Sequence, residues 1–306
     1  MSRLTLRVPR GFDFWRTVLS HGWAVLPPFE CDPRRRTLLR VFRLQSGRLA
    51  TATMHGTSSF IRIDTGRLVL TTGERADLRR QARSCLRLDE DFSGFHAAAR
   101  RLAGYRWVAT SGAGRLLRAP TLFEDVVKMI CTTNCSWSLT EAMVGKLVGL
   151  FGAKCDDGRR AFPEPRSIAE STEQVLRSRC SMGYRAPYVL ELSRRVASGH
   201  LALEALRSST APAPELFATL RDIKGVGPYA AGNLLKLLGR YDHLGLDAWV
   251  RSQYAQLHAR GRTVKDATIE RRYAPLGRWR GLFFWLEMTR SWHHEKFRVS
   301  GGDSRV

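Results

Sequence analysis

Acidic residues are scarce in this sequence. Its 306 residues include 28 Asp and Glu against 50 Lys and Arg, which gives a formal net charge of +22 at pH 7 and a pI near 10.8. Such an excess of positive charge favours a polyanionic partner. Nucleic acid is the first candidate, and a ribosome-associated role or binding to a membrane surface are the alternatives.

Long apolar runs are also lacking. The best stretch, LFFWLEM, falls far short of the roughly 18 to 20 apolar residues that a transmembrane helix needs. The first residues have no continuous apolar segment followed by small residues, so they do not resemble an export signal. We therefore expect a protein without a membrane span that stays inside the cell, in the cytoplasm or nucleoid, or in the nucleus of a eukaryote.

The cysteines form no pattern typical of disulfides or metal sites. None of the six lies in a CxxC pair with a second pair or a histidine pair behind it, so we expect reduced, mostly buried thiols and no metal. Helical spacing places two of them on one face. The six are Cys31, Cys85, Cys131 and Cys135 (the helical pair), Cys155 and Cys180.

The first 88 residues predict an antiparallel sheet. With 43% hydrophobic and 25% charged residues, the chain is typical of a folded protein with room for about two domains. After a helix-like segment at 12–20, the segments TLLRVFRL, RLATATM, FIRID and RLVLTT are separated by turn residues. Alternating apolar and polar residues in the middle two are typical of half-buried antiparallel strands. We predict an N-terminal antiparallel β subdomain over residues 1–88.

From residue 89 the apolar spacing changes to that of helices. Thr121 and Glu124 have the spacing of a capping box before an apolar run, and another helix is predicted from Ser138 to Leu150. Residues 152–167 are rich in Gly, Pro and charge, which predicts a surface loop. The predicted fold class is therefore α+β, with a mainly α-helical bundle over residues 89–300.

The most informative segment is LRDIKGVGPYAAGNLLKLLGRYDHLGLDAWVR, at residues 220–251. A helix that ends near Ile223 meets a KGVG turn, and Pro228 stands at the favoured first position of a new helix. This pattern predicts a helix-hairpin-helix over about 214–239. Glycines let the backbone approach a ligand, and the unpaired amides of the following helix carry positive dipole charge, which suits a DNA phosphate. The predicted DNA contacts in this turn are Lys224, Gly225, Val226 and Gly227.

Two other interpretations fit these glycines. Gly225-x-Gly227-x-x-Ala230, with an acidic residue twenty positions after Gly227, matches the spacing of a dinucleotide-binding loop. That loop requires a preceding strand, whereas APELFATLRDI has helical spacing. A purely structural helix end followed by a new helix is the second alternative.

The acidic residue, Asp247, precedes a helix-like run. It can therefore be an N-cap that accepts backbone amide hydrogen bonds. A carboxylate beside the hairpin could also stabilise positive charge on a sugar and activate water. Both roles can hold for one residue.

Four segments resemble the helix-hairpin-helix (HhH-GPD) DNA glycosylase superfamily. KGVGPYAAGNLLKLLGRYDHLGLDAW is similar to its hairpin and trailing aspartate, and LLRAPTLFEDVVKMICTTNCSWSLTEAMVGKLVGLFG is similar to the helix and intercalating loop of the 8-oxoguanine and 3-methyladenine II branches. SMGYRAPYVLELSRRVASG and the preceding FPEP resemble segments of 8-oxoguanine glycosylases. With the N-terminal β-meander, the resemblance covers nearly the whole chain.

The resemblance implies that Asp247 is the catalytic carboxylate. Bifunctional members carry a lysine nucleophile two residues after the second hairpin glycine, and Tyr229 occupies that position here. Without an amine there, covalent attack on C1′ and strand cleavage lose their agent, so we expect a monofunctional enzyme that uses water. Lys224 precedes the first glycine and is expected to contact phosphate.

The resemblance also implies how DNA is held. Flipping a base costs a few kcal/mol, and least for damaged or mismatched bases. Asn134 matches the intercalating asparagine, and Tyr184 with Arg185 matches the wedge beside the opposite base. A loop cap and a packed surface aromatic are the alternatives for Asn134 and Tyr184. The predicted partner is double-stranded DNA that contains a damaged base, bound by a monomer.

The damaged base is inferred from the pocket residues. Ser136, Trp137 and Ser138 stand where an 8-oxoguanine enzyme has further asparagines and an arginine. Tyr229 and Trp249 could form an aromatic pocket, which suits a cationic alkylated purine such as 3-methyladenine. The alternatives are an 8-oxoguanine, deaminated-base or mismatched-base glycosylase, or a module that binds damaged DNA without catalysis.

No cofactor is expected. The four-cysteine iron–sulfur loop of the endonuclease III branch has no counterpart, because no cysteine follows Cys180. Trp249 could also belong to the core, and a core position is expected for the C-terminal aromatic group Trp279, Phe283, Phe284, Trp285 and Trp292.

Overall fold

The computed structural model of the chain describes residues 3–293. The predicted α+β class is confirmed, since an N-terminal five-stranded antiparallel sheet is followed by helices. In space the strands follow the order β1-β5-β4-β3-β2. Their bounds are β1 Arg3–Arg7, β2 Phe29–Asp32, β3 Thr37–Arg43, β4 Leu49–Gly56 and β5 Phe60–Asp64.

The first three of the four predicted strands are confirmed as β3, β4 and β5, and alternation explains the last two. In β4 every second residue is buried, and Met54 lies opposite Ile63 of β5 and Leu38 of β3 on the buried face. The short outer strands β1 and β2 were not predicted.

The predicted strand RLVLTT is wrong, because this segment leads into a helix. The Thr71 hydroxyl accepts a hydrogen bond from the Glu74 amide at 3.2 Å, and Glu74 Oε2 accepts one from the Thr71 amide at 2.9 Å. This reciprocal capping box starts α2 and ends the extended region.

The helices pack behind the sheet and continue to the end of the described chain. Their bounds are α1 Phe14–Val18, α2 Thr72–Leu86, α3 Ser93–Arg101, α4 Arg106–Ser111, α5 Leu122–Cys131, α6 Trp137–Phe151, α7 Pro165–Ala169, α8 Glu173–Arg179, α9 Ala186–Ala197, α10 Ala213–Arg221, α11 Pro228–Leu237, α12 Ala248–His258, α13 Asp266–Tyr273 and α14 Arg280–Met288. The predicted helical region extends to residue 300, so its last seven residues lie outside the described range. No helix between residues 3 and 293 is long and apolar enough to cross a bilayer.

The sheet and α5 are joined by a buried ionic cluster. Arg40 of β3 donates to both carboxylate oxygens of Glu124, and Lys128 Nζ lies 2.8 Å from Glu124 Oε1. All three side chains are at most 3% exposed. Burial alone would raise the pKa of Glu124, but Arg40 and Lys128 bring it below its ordinary value. The expected capping box at α5 is therefore only half present: Thr121 caps the Glu124 amide, while the Glu124 side chain belongs to this cluster.

Candidate active site

The predicted hairpin joins α10 to α11. Gly225 has a φ of +85°, and a Cβ there would lie 2.7 Å from the ring of Tyr188, so both conformation and packing require glycine. Gly227 is the N-cap of α11 and Pro228 its first residue. Because the preceding element is a helix, α10, the strand required by a dinucleotide-binding loop is absent from this position.

The two residues of the turn that are not glycine, Lys224 and Val226, differ in exposure. Lys224 is exposed, and its Nζ lies 2.7 Å from Glu191 Oε2 of α9. Val226 is only 4% exposed. Val226 can therefore offer a ligand its backbone, while Lys224 can offer its side chain.

Asp247 lies at the start of α12 as its N-cap. Its Oδ1 accepts a hydrogen bond from the Val250 amide at 2.8 Å. The side chain remains half-buried and lines a cavity of about 660 Å³. Asp247 is therefore both the N-cap of α12 and part of the wall of a ligand-sized cavity.

Tyr229 lines the same cavity as Asp247. Burial and then the charge of Asp247 raise the pKa of the Tyr229 phenol. The phenol therefore stays protonated beside the carboxylate. Its position in the first turn of α11 follows from the hairpin, so the hairpin and the start of α12 together build the Tyr229–Asp247 pair.

Aromatic rings form much of the cavity wall. The ring of Trp249 lies 5.0 Å from that of Trp292 and 6.3 Å from that of Trp285, measured between centroids. The core assignment is right for Phe283 and Phe284, which are 1% and 0% exposed. Partly buried Trp279 packs against the core. Trp285 likewise packs against the core, and both Trp285 and Trp292 line the cavity as well.

The wall also contains polar residues that the resemblance of the four segments did not predict. Asn233 and Lys236 lie on α11 beyond Tyr229, and Glu141 lies on α6. Glu141 Oε1 accepts a hydrogen bond from Trp137 Nε1 at 3.0 Å. Lysine within the run LLKLL was the available sequence signal for Lys236, because a charge amid apolar residues on a core helix needs a partner or a cavity.

The predicted DNA-contacting loop lies near the cavity rim. Asn134 is exposed with a φ of +46°, and Tyr184 is 45% exposed with its hydroxyl 3.3 Å from the Thr133 carbonyl. The expected exposed partner Arg185 is instead only 4% exposed. Its guanidinium donates to the Thr133 carbonyl and lies over the Tyr184 ring at 4.4 Å. Arg185 therefore stabilises this loop from the protein interior.

The cysteines are free thiols. Cys135 lines the cavity, and its Sγ lies 3.2 Å from the Cys131 carbonyl one helical turn earlier. Within residues 3–293 no three His, Cys, Asp or Glu side chains are grouped closely enough to hold a metal ion.

Comparison with known sequences finds two DNA glycosylase relatives. No family model matches the chain. A protein of Methanothermobacter thermautotrophicus, named as an N-glycosylase/DNA lyase, is 26% identical over 215 residues, which are 61% of this chain and 67% of that protein. The Bacillus subtilis protein YfjP, named as a DNA-3-methyladenine glycosylase, is 29% identical over 121 residues, 39% of this chain and 41% of that protein.

Solved structures share the fold over nearly the whole chain. The 3-methyladenine DNA glycosylase of Archaeoglobus fulgidus superimposes with a TM-score of 0.76 at 20% identity, covering 96% of this chain and 99% of that one. The 8-oxoguanine glycosylase/lyase of Clostridium acetobutylicum, bound to double-stranded DNA with cytosine opposite 8-oxoguanine, gives 0.72 at 17% identity, covering 95% and 98%. The chain therefore has the fold of these DNA glycosylases, and the hairpin and the two sequence relatives agree with the resemblance of the four motifs to the helix-hairpin-helix superfamily.

Proposed function

We propose that this protein is a DNA repair glycosylase that flips a damaged base and hydrolyses its N-glycosidic bond, with an alkylated purine such as 3-methyladenine as substrate. The observation that carries the proposal is the pair of Asp247 and Tyr229 in an aromatic cavity next to the hairpin. The glycosylase relatives support the reaction class.

Asp247 is the proposed catalytic carboxylate. Departure of the base leaves an oxocarbenium-like sugar, and a fixed carboxylate stabilises that positive charge and orients or deprotonates the attacking water. The Val250 amide holds the carboxylate in place, so little reorganisation is needed when the charge develops.

Water is the proposed nucleophile, because the position of the family lysine is occupied by a phenol that stays protonated. The cavity wall does contain one lysine, Lys236. It is 1% exposed, and its amine donates to the Asn233 side chain and the Leu244 carbonyl. We therefore propose that the enzyme is monofunctional and has no lyase step.

A cationic base fits the character of the cavity. Tyr229, Trp249, Trp285 and Trp292 line the cavity, and aromatic rings attract a cation. Asp247 and Glu141 add negative charge to the wall. An alkylated purine carries the positive charge that these groups favour, whereas 8-oxoguanine and deaminated bases are uncharged.

The proposed partner is double-stranded DNA that contains the damaged base. Lys224 and the amides of the 225–227 turn contact phosphate, Asn134 fills the gap left by the flipped base, and Tyr184 is the wedge beside the opposite base. Buried Arg185 holds the Thr133–Asn134 loop against Tyr184 instead of contacting DNA itself. We propose a monomer that works wherever the cell keeps its DNA.

A substrate panel tests this function. Duplexes with 3-methyladenine, 1-methyladenine, hypoxanthine, uracil or 8-oxoguanine are incubated with a molar excess of protein, and abasic sites are revealed with alkali. The proposal expects the fastest release of a methylated purine. Release of 8-oxoguanine alone would show that the substrate is an oxidised base and not an alkylated purine. Release of no base, with DNA still bound, would indicate a module that binds damaged DNA without catalysis.

A further inference from the structure

The structure contains two fully buried lysines whose surroundings differ. Lys128 of α5 is neutralised by Glu124 Oε1 at 2.8 Å. Lys236 of α11 is 1% exposed, and no carboxylate of residues 3–293 lies within 4 Å of its Nζ. A buried charge without an ion-pair partner is costly, so a lysine at such a position calls for a reason.

Hydrogen bonds fix the amine of Lys236 in place. Its Nζ donates to the Leu244 carbonyl at 2.6 Å and to Asn233 Oδ1 at 3.1 Å. Gly245 has a φ of +69°, and a Cβ there would lie 2.8 Å from Nζ, so only glycine lets the backbone pass over the amine. These contacts use two N–H groups, which a neutral amine already has; protonation adds a third.

Lys236 shares the cavity wall with the residues proposed for catalysis. It lies seven positions after Tyr229, two turns along the same face of α11, and both line the cavity with Asp247 and Trp249. A flipped base in this cavity would lie close to Lys236. In a site shielded from water, charges interact more strongly than in solution.

We propose that Lys236 is a specificity-determining residue, whose buried amine adds a titratable positive charge to the wall of the base cavity and thereby selects between cationic and uncharged bases. The inference rests on the proposed glycosylase function. A protonated amine repels a cationic base, whereas a neutral amine admits it onto the aromatic rings. The protonated amine also offers an extra N–H to a carbonyl of an uncharged base.

The groups around the amine place its change of protonation state near neutral pH. Burial lowers the pKa of Lys236 to about 7, and the charge of Asp247 opposes that effect. The pKa of His243, on the segment before Asp247, is lowered by burial and also by Lys236, so this imidazole is neutral at pH 7. Tyr229 stays protonated, and Glu141 faces the cavity from α6. Preference for a cationic base is therefore expected to rise as pH increases through about 7.

The test compares two bases in one enzyme. Single-turnover release of 3-methyladenine from methylated duplex DNA and of hypoxanthine from a defined duplex is measured from pH 6 to 8.5, for wild type, Lys236→Met, Lys236→Gln and the exposed-lysine control Lys154→Met. The ratio of the two rates cancels a loss of folded protein. Comparison between enzymes at each pH cancels the acid sensitivity of the bases themselves.

At pH 6 we expect both Lys236 variants to have a ratio roughly tenfold above wild type, which corresponds to a repulsion of about 1.4 kcal/mol. The curves should converge above pH 8, and Lys154→Met should follow wild type. If wild type releases only 3-methyladenine, the same shift is expected in that rate alone. Identical pH curves in all four enzymes, with bases released, would overturn this inference and leave the glycosylase function standing; failure of wild type to release any base would overturn both. Lys236→Gln can still donate to the Leu244 carbonyl, so it serves if Lys236→Met does not fold.

Discussion

The protonated phenol of Tyr229 interacts electrostatically with the carboxylate of Asp247, and these two side chains come from the first turn of α11 and the N-cap of α12. The hairpin that is proposed to hold DNA thus also fixes one side of the proposed catalytic carboxylate. A phenol in this position supports the carboxylate but provides no amine for covalent chemistry.

Removing the Tyr229 hydroxyl should slow catalysis without unfolding the protein. Tyr229→Phe loses the polar group that interacts with the Asp247 carboxylate and keeps the ring, so we expect single-turnover base release to fall by about tenfold, the scale of losing a polar contact to a charged group. The thermal midpoint should change little, and DNA affinity should be retained. A rate equal to wild type would show that the phenol does not support the carboxylate.

Introducing the missing amine should create covalent chemistry. Wild type is expected to form no adduct with damaged DNA under borohydride, whereas Tyr229→Lys should yield a trapped protein–DNA species, since a lysine there can attack C1′. The readout is a band shift on a denaturing gel. An adduct with wild type would contradict the water mechanism, and its loss in Lys236→Met would identify Lys236 as the nucleophile.

Binding to DNA should depend steeply on salt, because phosphate contacts release counterions. Lys224→Met should weaken binding similarly for damaged and undamaged duplexes, and should lower the logarithmic salt slope by about 1. Fluorescence anisotropy at several salt concentrations measures both. The exposed-lysine variant Lys154→Met is the control, and an equal slope change there would assign the effect to net charge instead of the hairpin.

The buried cluster between β3 and α5 should dominate stability. Glu124→Gln leaves Arg40 and Lys128 without their counter-charge, and breaking a buried pair in this way costs about 3–5 kcal/mol. Urea unfolding should show this loss, while the exposed pair variant Arg166→Met should change little.

The same cluster predicts the sign of the acid response. The folded-state pKa of Glu124 lies below its ordinary value, so its stabilising contribution is present above the unfolded pKa and is lost as pH falls through the folded one. Wild type should therefore lose stability in acid more steeply than Glu124→Gln. Parallel stability curves for the two proteins would contradict this assignment.

Local signals made much of the fold predictable. Alternation identified β4 and β5, turn residues bounded β3, and the KGVG turn with Pro228 identified the hairpin, because glycine and proline constrain the backbone directly. RLVLTT was misassigned because an apolar segment also precedes a capped helix, and the Thr71–Glu74 pair was the deciding signal. Strand β2 is only four residues long and pairs at the sheet edge, which leaves little periodicity to detect.

The cavity was less predictable than the hairpin, because its residues meet only in the folded chain. Trp285 and Trp292 are seven residues apart, a spacing that indicates one helical face but not whether that face meets core or cavity. Burial of Arg185 follows from its bond to the Thr133 carbonyl, 52 residues away in sequence. The amine of Lys236 is likewise held by a hydrogen bond to the Leu244 carbonyl, on the segment before α12.

The proposed role of Asp247 is tested most directly by Asp247→Asn. Asparagine is as good an N-cap as aspartate, so the hydrogen bond from Val250, the thermal midpoint and the DNA affinity should be retained. Single-turnover release of 3-methyladenine by this variant should fall by at least about a hundredfold, the scale of losing one electrostatic stabiliser of a transition state. Release at the wild-type rate by a folded, DNA-binding Asp247→Asn variant would contradict the account.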